Sequence, residues 1–201
     1  MTLNEQHKHI LLQVAKASIV HGFDTGMPLR GLVSEDPLLS TPGAAFVTLN
    51  RYGQLRGCIG SLQAYRPLIE DVADNAFKAA FSDPRFPPLS RAETAGLSVE
   101  VSVLTPPTPI EECDSPHALL RQLTPFEDGL IIDDGVHRAT FLPSVWEQLP
   151  NPEDFLRQLM AKAGMTAWSP SMRCWRYHTV KFAAPWEAIA PLATELVQKV
   201  G

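Results

Sequence analysis

The residues with the clearest chemical potential lie in "LRGCIGS", Leu55 to Ser61, where Cys58 sits between glycines with Arg56 two places upstream. If this segment is extended, side chains alternate, so Arg56, Cys58 and Gly60 share one face and Leu55, Gly57 and Ile59 the other. Arg56 and Cys58 then project side by side, with Cα atoms about 6.6 Å apart. A guanidinium beside a thiol favours the thiolate, the nucleophilic form. Gly60 leaves open space next to the sulfur, and a glycine within a strand often marks close approach of a ligand or another backbone. The spacing therefore suggests a thiol nucleophile, Cys58, tuned by Arg56. A structural origin is equally readable, because cysteine is among the most buried residue types and glycines permit bulges and tight packing.

Other groups could complete such a site. Asp83 and Arg85 flank Pro84 in "SDPRFPP" and could either pair with each other or line a pocket beside Cys58. The helix before them is long enough to carry the chain back across a sheet, so both residues are expected close to the "RGCIG" strand. Glu100 is the lone acid on the polar face of an apolar strand; it could act as acid or base, stand in solvent, or pair with Arg56 if buried. His137, after the Asp134-Gly135 turn, could serve Cys58 as a base in a thiol–imidazole pair. Cys174, Arg176 and His178 would share a face of a later strand and form a second site. Metal ligation is not expected: His7 and His9 are two apart on a helix, and neither C-x-x-C nor H-x-x-x-H occurs.

These residues need elements to hold them. A helix is predicted from about Asn4 to Val20, with Ile10, Leu11, Val14, Ala17 and Ser18 on one face. "FVTLNRYGQLRGCIGS" reads as a hairpin of Phe46–Leu49 and Leu55–Ile59 turning at Tyr52-Gly53. A helix from Pro67 to Phe81 carries a wide apolar stripe and ends at Asp83-Pro84. "LSVEVSVL" alternates as a strand. Ser115 caps a short helix, Asp134-Gly135 forms a two-residue hairpin turn, and Asn151 and Gly164 bound another helix. "RCWRYHTVKF" reads as one final strand, and residues 186–200 as an amphipathic C-terminal helix. Strands that come as hairpins pair antiparallel, so the class is α+β rather than doubly wound.

Composition narrows the function. A formal charge of −5 with no basic run argues against nucleic-acid binding. No apolar stretch reaches a bilayer-spanning length. Three widely spaced cysteines do not form a disulfide framework, and the simplest reading is a reduced, cytoplasmic protein.

"LRGCIG" resembles the hallmark hexapeptide of the AMMECR family, also called AmmeMemoRadiSam system protein A. "FVTL", "AAFSDPRFPPL", "LSVEVSVLTPP", "DGLII", "FLPSVWEQLP" and "FLRQLMAKAG" are similar to family stretches in the same order, over about residues 8 to 183. The resemblance implies one AMMECR-like domain of two intertwined subdomains, each an antiparallel sheet covered by helices. No cofactor is expected. It also implies genomic association with a Memo-family protein and a radical S-adenosylmethionine enzyme, which are therefore the expected partners. A binding or accessory role, with Arg56, Gly57, Cys58, Gly60, Asp83 and Arg85 around a pocket for a small molecule or peptide, then ranks above catalysis by Cys58, because no complete catalytic constellation is visible.

Overall fold

In a computed structural model, which describes residues 2–196, the chain divides into two compact units. The first comprises residues 1–104 and 180–201, and the second is the continuous stretch 105–179. The elements are α+β in both, and every pairing with a described register is antiparallel.

The first unit opens with α1 (Glu5–Thr25). Asn4 caps it by accepting the His7 N–H, and Gly26 ends it in the left-handed region at φ 71°. The helix runs five residues beyond the expected Val20. A short α2 (Pro37–Ser40) and β1 (Pro42–Gly43) follow. The predicted hairpin is present as β2 (Ala45–Arg51) and β3 (Gln54–Gly60), turning at Tyr52 and Gly53, both with positive φ. β4 (Arg66–Pro67) pairs with β1 and leads into α3 (Leu68–Phe81), and β5 (Leu97–Leu104) follows a 3₁₀ turn over Arg91–Thr94. The fourth strand, β10 (Thr179–Pro185), arrives from the far end of the sequence, and the sheet order is β10-β5-β2-β3.

Alternation fixes the two faces of this sheet. Val47, Leu49, Val99, Val101 and Val103 are wholly buried and pack with Leu11, Val14 and Ile19 of α1 and Val72 and Ala76 of α3. Each such side chain stabilises the fold by about 1.5–3 kcal/mol. The small residues Ala73, Ala76, Ala79 and Ala80 on α3 let helix and sheet approach closely. The opposite row carries Thr48, Glu100 and Cys58, all partly exposed.

The second unit contains β6 (Thr108–Ile110), α4 (Pro116–Leu120), β7 (Gly129–Asp133), β8 (Arg138–Phe141), α5 (Pro152–Ala163) and β9 (Arg173–Tyr177), with sheet order β6-β9-β7-β8. Its core is built around Trp146 and Phe155, whose rings stack at 3.7 Å, together with Leu130, Ile132, Leu159 and Cys174. The Asn151 carboxamide accepts the Glu153 and Asp154 N–H groups, and Gly164 ends α5 at φ 77°.

Three local expectations are corrected. "RCWRYHTVKF" is two strands in two sheets, because the backbone of His178 is taken by Thr105: its N–H donates to Thr105 Oγ1 at 2.8 Å and its carbonyl accepts the Thr105 N–H at 2.9 Å. The connection between β7 and β8 spans residues 134–137 with Gly135-Val136 at its tip: the Asp134 N–H donates to the His137 carbonyl at 3.1 Å, while Asp134 Oδ1 accepts the Val136 and His137 N–H groups in place of the second cross-loop backbone bond. The helix expected over 186–200 is absent up to residue 196, where only 3₁₀ turns at Trp186–Ala188 and Thr194–Leu196 occur. Pro191 removes a donor, and the Trp186 and Ile189 carbonyls accept from Lys16 Nζ, Trp186 also closing the single 3₁₀ turn by accepting the Ile189 N–H. The remainder of that segment, 197–200, lies outside the described residues.

Candidate functional site

β3 is the edge strand of the first sheet, so one side of its backbone has no strand to pair with. At Cys58 that side is closed by side chains instead. The Cys58 N–H donates to Asp83 Oδ2 at 2.9 Å, and the Cys58 carbonyl accepts from Arg85 Nη2 at 3.4 Å. Asp83 and Arg85 also pair with each other at 2.7 Å, and Asp83 Oδ1 accepts both the Arg85 N–H and Nε. The loop after α3 therefore presents one acceptor and one donor where a neighbouring strand would. Asp83 is buried, and its carboxyl is held far below the usual carboxylate range, first by the Arg85 hydrogen bond. Arg85 is raised, first by its hydrogen bond to Asp83, and its guanidinium is half exposed.

Arg56 does not fill the role that alternation suggests. The register changes at this point: Asn50 faces Leu55 and Leu49 faces Gly57, leaving Arg56 as the extra residue of a β-bulge. Strict alternation fails across a bulge, so a shared face with Cys58 does not follow. The Arg56 side chain is buried and bound elsewhere, with Nε on Glu93 Oε1 at 2.8 Å and Nη2 on Glu93 Oε2 at 3.2 Å and on the Pro87 carbonyl at 2.9 Å. Glu93 is lowered to about 2 in consequence, Arg56 being the first cause. Phe86 lies under both guanidinium groups, 5.7 Å from Arg56 and 5.5 Å from Arg85.

The two glycines answer to packing. A Cβ on Gly57 would stand 2.0 Å from the Ala79 carbonyl oxygen, so α3 lies directly on the β3 backbone. A Cβ on Gly60 would meet the Phe46 ring at 2.2 Å, so the expected open space beside the sulfur is occupied by that ring.

The Cys58 thiol itself is partly exposed and accepts a hydrogen bond from Thr48 Oγ1 at 3.2 Å. Thr48 lies between Cys58 and Glu100 in the cross-strand row. Glu100 is thus two strand spacings, roughly 10 Å, from the sulfur, beyond direct proton transfer. The condition for its pairing with Arg56, burial, is not met, and Glu93 is the acid that Arg56 binds. His137 belongs to the second unit, where its Nδ1 is 3.1 Å from Asp134 Oδ2. No imidazole or carboxylate touches the sulfur among the described residues.

Sequence reasoning passed over two polar clusters. On α3, behind the apolar stripe, Asp71 is fully buried and accepts from Ser61 Oγ, Arg66 Nε, Asn75 Nδ2 and the Ala45 N–H. Asp74 beside it holds Arg30, Arg66 and Lys78. Three acids within five residues of one helix, Glu70, Asp71 and Asp74, were the available signal. In the second unit, Asp128 meets His178 and Arg176, while Cys174, expected beside them, is buried in the core with its thiol pushed up by burial first and by Cys113 second. No group of three or more potential metal-binding side chains converges among the described residues.

The family model for AMMECR1 matches residues 12–182. The chain belongs to the AMMECR1 family. An AMMECR1 relative from Saccharolobus solfataricus is 38% identical over 189 residues, covering 90% of this chain and 82% of that protein. One from Methanothermobacter thermautotrophicus is 40% identical over 141 residues, covering 68% and 73%. The crystal structure of an uncharacterized protein from Pyrococcus horikoshii superposes with a TM-score of 0.73 at 32% identity, over 90% of this chain and 93% of that one. For this AMMECR1 chain the hexapeptide is bound on every side: Arg56 to Glu93, Gly57 against Ala79, Cys58 clamped by Asp83 and Arg85, and Gly60 beneath Phe46.

Proposed function

We propose that the chain is a binding component, acting with a Memo-family protein and a radical S-adenosylmethionine enzyme, whose recognition surface is the half-open sheet face around Cys58, Thr48, Glu100 and the Arg85 guanidinium. The observation that carries this reading is the state of the thiol. Cys58 is accessible beside a partly free cation, yet its one described side-chain partner is a hydroxyl, so the site offers contacts without a base to activate a nucleophile. Arg85 supplies the anion contact first assigned to Arg56, whose own guanidinium is engaged by Glu93. A small anionic molecule or an acidic segment of a partner fits this arrangement of one cation and short polar side chains. The alternative of Cys58 as an enzyme nucleophile finds no proton acceptor bonded to the sulfur among the described residues.

The test is association of the full chain with each proposed partner from the same genome, measured by biolayer interferometry. Arg85→Glu is expected to weaken the complex about a hundredfold, equal to about 2.7 kcal/mol, in line with loss of a charged contact. Cys58→Ser is expected to bind like the parent. Absence of a complex with both partners, or loss of binding only in Cys58→Ser, overturns the proposal.

A further inference from the structure

The second unit carries a separate titratable group that the proposed surface does not use. Asp128 is 1% exposed, and its carboxylate is fixed from several directions. Oδ2 accepts the Thr124 N–H at 2.8 Å, and the residue's own carbonyl accepts Trp146 Nε1 at 2.8 Å, tying it to the stacked Trp146–Phe155 pair. Oδ1 meets His178 Nε2 at 2.8 Å. The backbone of His178 is fixed in turn by its two hydrogen bonds to Thr105. Arg176 Nη1 lies 3.6 Å from Asp128 Oδ2.

An ionised carboxylate only accepts hydrogen bonds, so the proton of a neutral His178 ring resides on Nε2. The lone pair is then on Nδ1, which has no partner among the described hydrogen bonds, and 54% of the side chain is open to solvent. A buried acid that fixes the tautomer and orientation of an imidazole leaves its other nitrogen positioned as the nucleophile. A surface histidine in a purely structural ion pair needs none of this immobilisation of both acid and backbone. The neighbouring guanidinium, with 30% of its side chain exposed, adds planar donors suited to phosphoryl oxygens.

We propose that His178 is a phosphoryl-acceptor histidine, taking the group from an activated small donor of the acyl phosphate or phosphoramidate class. Nδ1 attacks phosphorus, and the N–P bond forms as the bond from phosphorus to the leaving group breaks. The leaving group departs with its electron pair as a carboxylate or as ammonia. The Nε2 proton stays on the ring, where Asp128 balances the positive charge that develops. Arg176 holds the phosphoryl oxygens.

The experiment uses the full chain and potassium phosphoramidate. Product is followed by intact mass, acid lability and peptide mapping, and the isomer is assigned by phosphorus NMR. The expected result is one acid-labile phosphoryl group, on Nδ1 of His178, formed about tenfold faster than at any other histidine; Asp128→Asn and Arg176→Gln should each slow it by a similar factor. His178→Gln should remove it. Asp128→Asn also touches the core, so its melting temperature is recorded; if it fails to fold, Arg176→Gln and the isomer in the parent still decide. Labelling spread over histidines in proportion to exposure overturns the proposal, as does an Nε2 product at His178 or unchanged rates in the variants.

Discussion

The carboxylate of Asp83 accepts the backbone N–H of Cys58 at 2.9 Å, across a gap of 25 residues. This contact joins two stretches that the sequence presents as separate motifs and closes the free edge of β3 without a strand. Burial makes the bond costly to lose: an unsatisfied amide and the freed Arg85 would both be left at the edge. Asp83→Ala, which removes both acceptor oxygens, is expected to lower stability by about 1.5–3 kcal/mol, measured by urea denaturation. A loss under about 0.5 kcal/mol would show that the clamp is ornamental.

Gly57 and Gly60 should respond differently to the same added methyl group. At Gly57 the obstacle is backbone, the Ala79 carbonyl, which moves only if α3 moves. Gly57→Ala should therefore cost at least about 2 kcal/mol. At Gly60 the obstacle is the Phe46 ring, which can rotate, so Gly60→Ala should cost less. Equal losses in thermal melts would contradict the close helix–strand contact.

Acid should weaken the first unit through Glu93. Its folded value, about 2, lies below the ordinary 4.5, so the Arg56–Glu93 pair contributes stability that is complete above about pH 5 and fades as pH falls toward 2. The contribution is about 2 kcal/mol, the size of a charge-assisted hydrogen bond. Glu93→Gln should be less stable at pH 7 and show a flatter decline between pH 5 and pH 2. Parallel pH profiles for parent and variant would rule this out.

Of the three cysteines, Cys58 should alkylate first with limiting iodoacetamide, because Cys113 and Cys174 are buried and burial pushes the Cys174 thiol up. Arg85→Gln should slow that labelling, whereas Arg56→Gln should not while the protein stays folded. Peptide mapping checks both, and a slower rate only in Arg56→Gln would restore the arrangement that alternation suggests.

Periodicity made the elements legible. Alternation in "LSVEVSVL" and the apolar stripe of α3 describe the observed layers because burial on one face is a local pattern. Asp83 and Arg85 were legible as neighbours of β3 because the length of α3 returns the chain to the sheet. The partner of Arg56 was not, since a bulge is set by pairing with β2 and by Glu93, thirty-seven residues away. Asp128 was equally hidden: nothing in "FEDGL" distinguishes an acid facing solvent from one sealed under Trp146. The C-terminal segment read as a helix because its apolar spacing ignores what Lys16 does to its carbonyls.

The return of the chain as β10 has a consequence for synthesis. The second unit is one uninterrupted stretch, so it can complete its sheet as soon as β9 has left the ribosome. The first unit waits longer: its fourth strand is translated last, and until then β5 is an open edge. For the eight residues from the end of β9 to the end of β10, the nascent protein therefore holds a complete second sheet and a first sheet that lacks its fourth strand. During that interval the exposed flank of β5 is the place where a chaperone would be needed and where misassembly with a neighbouring chain would begin.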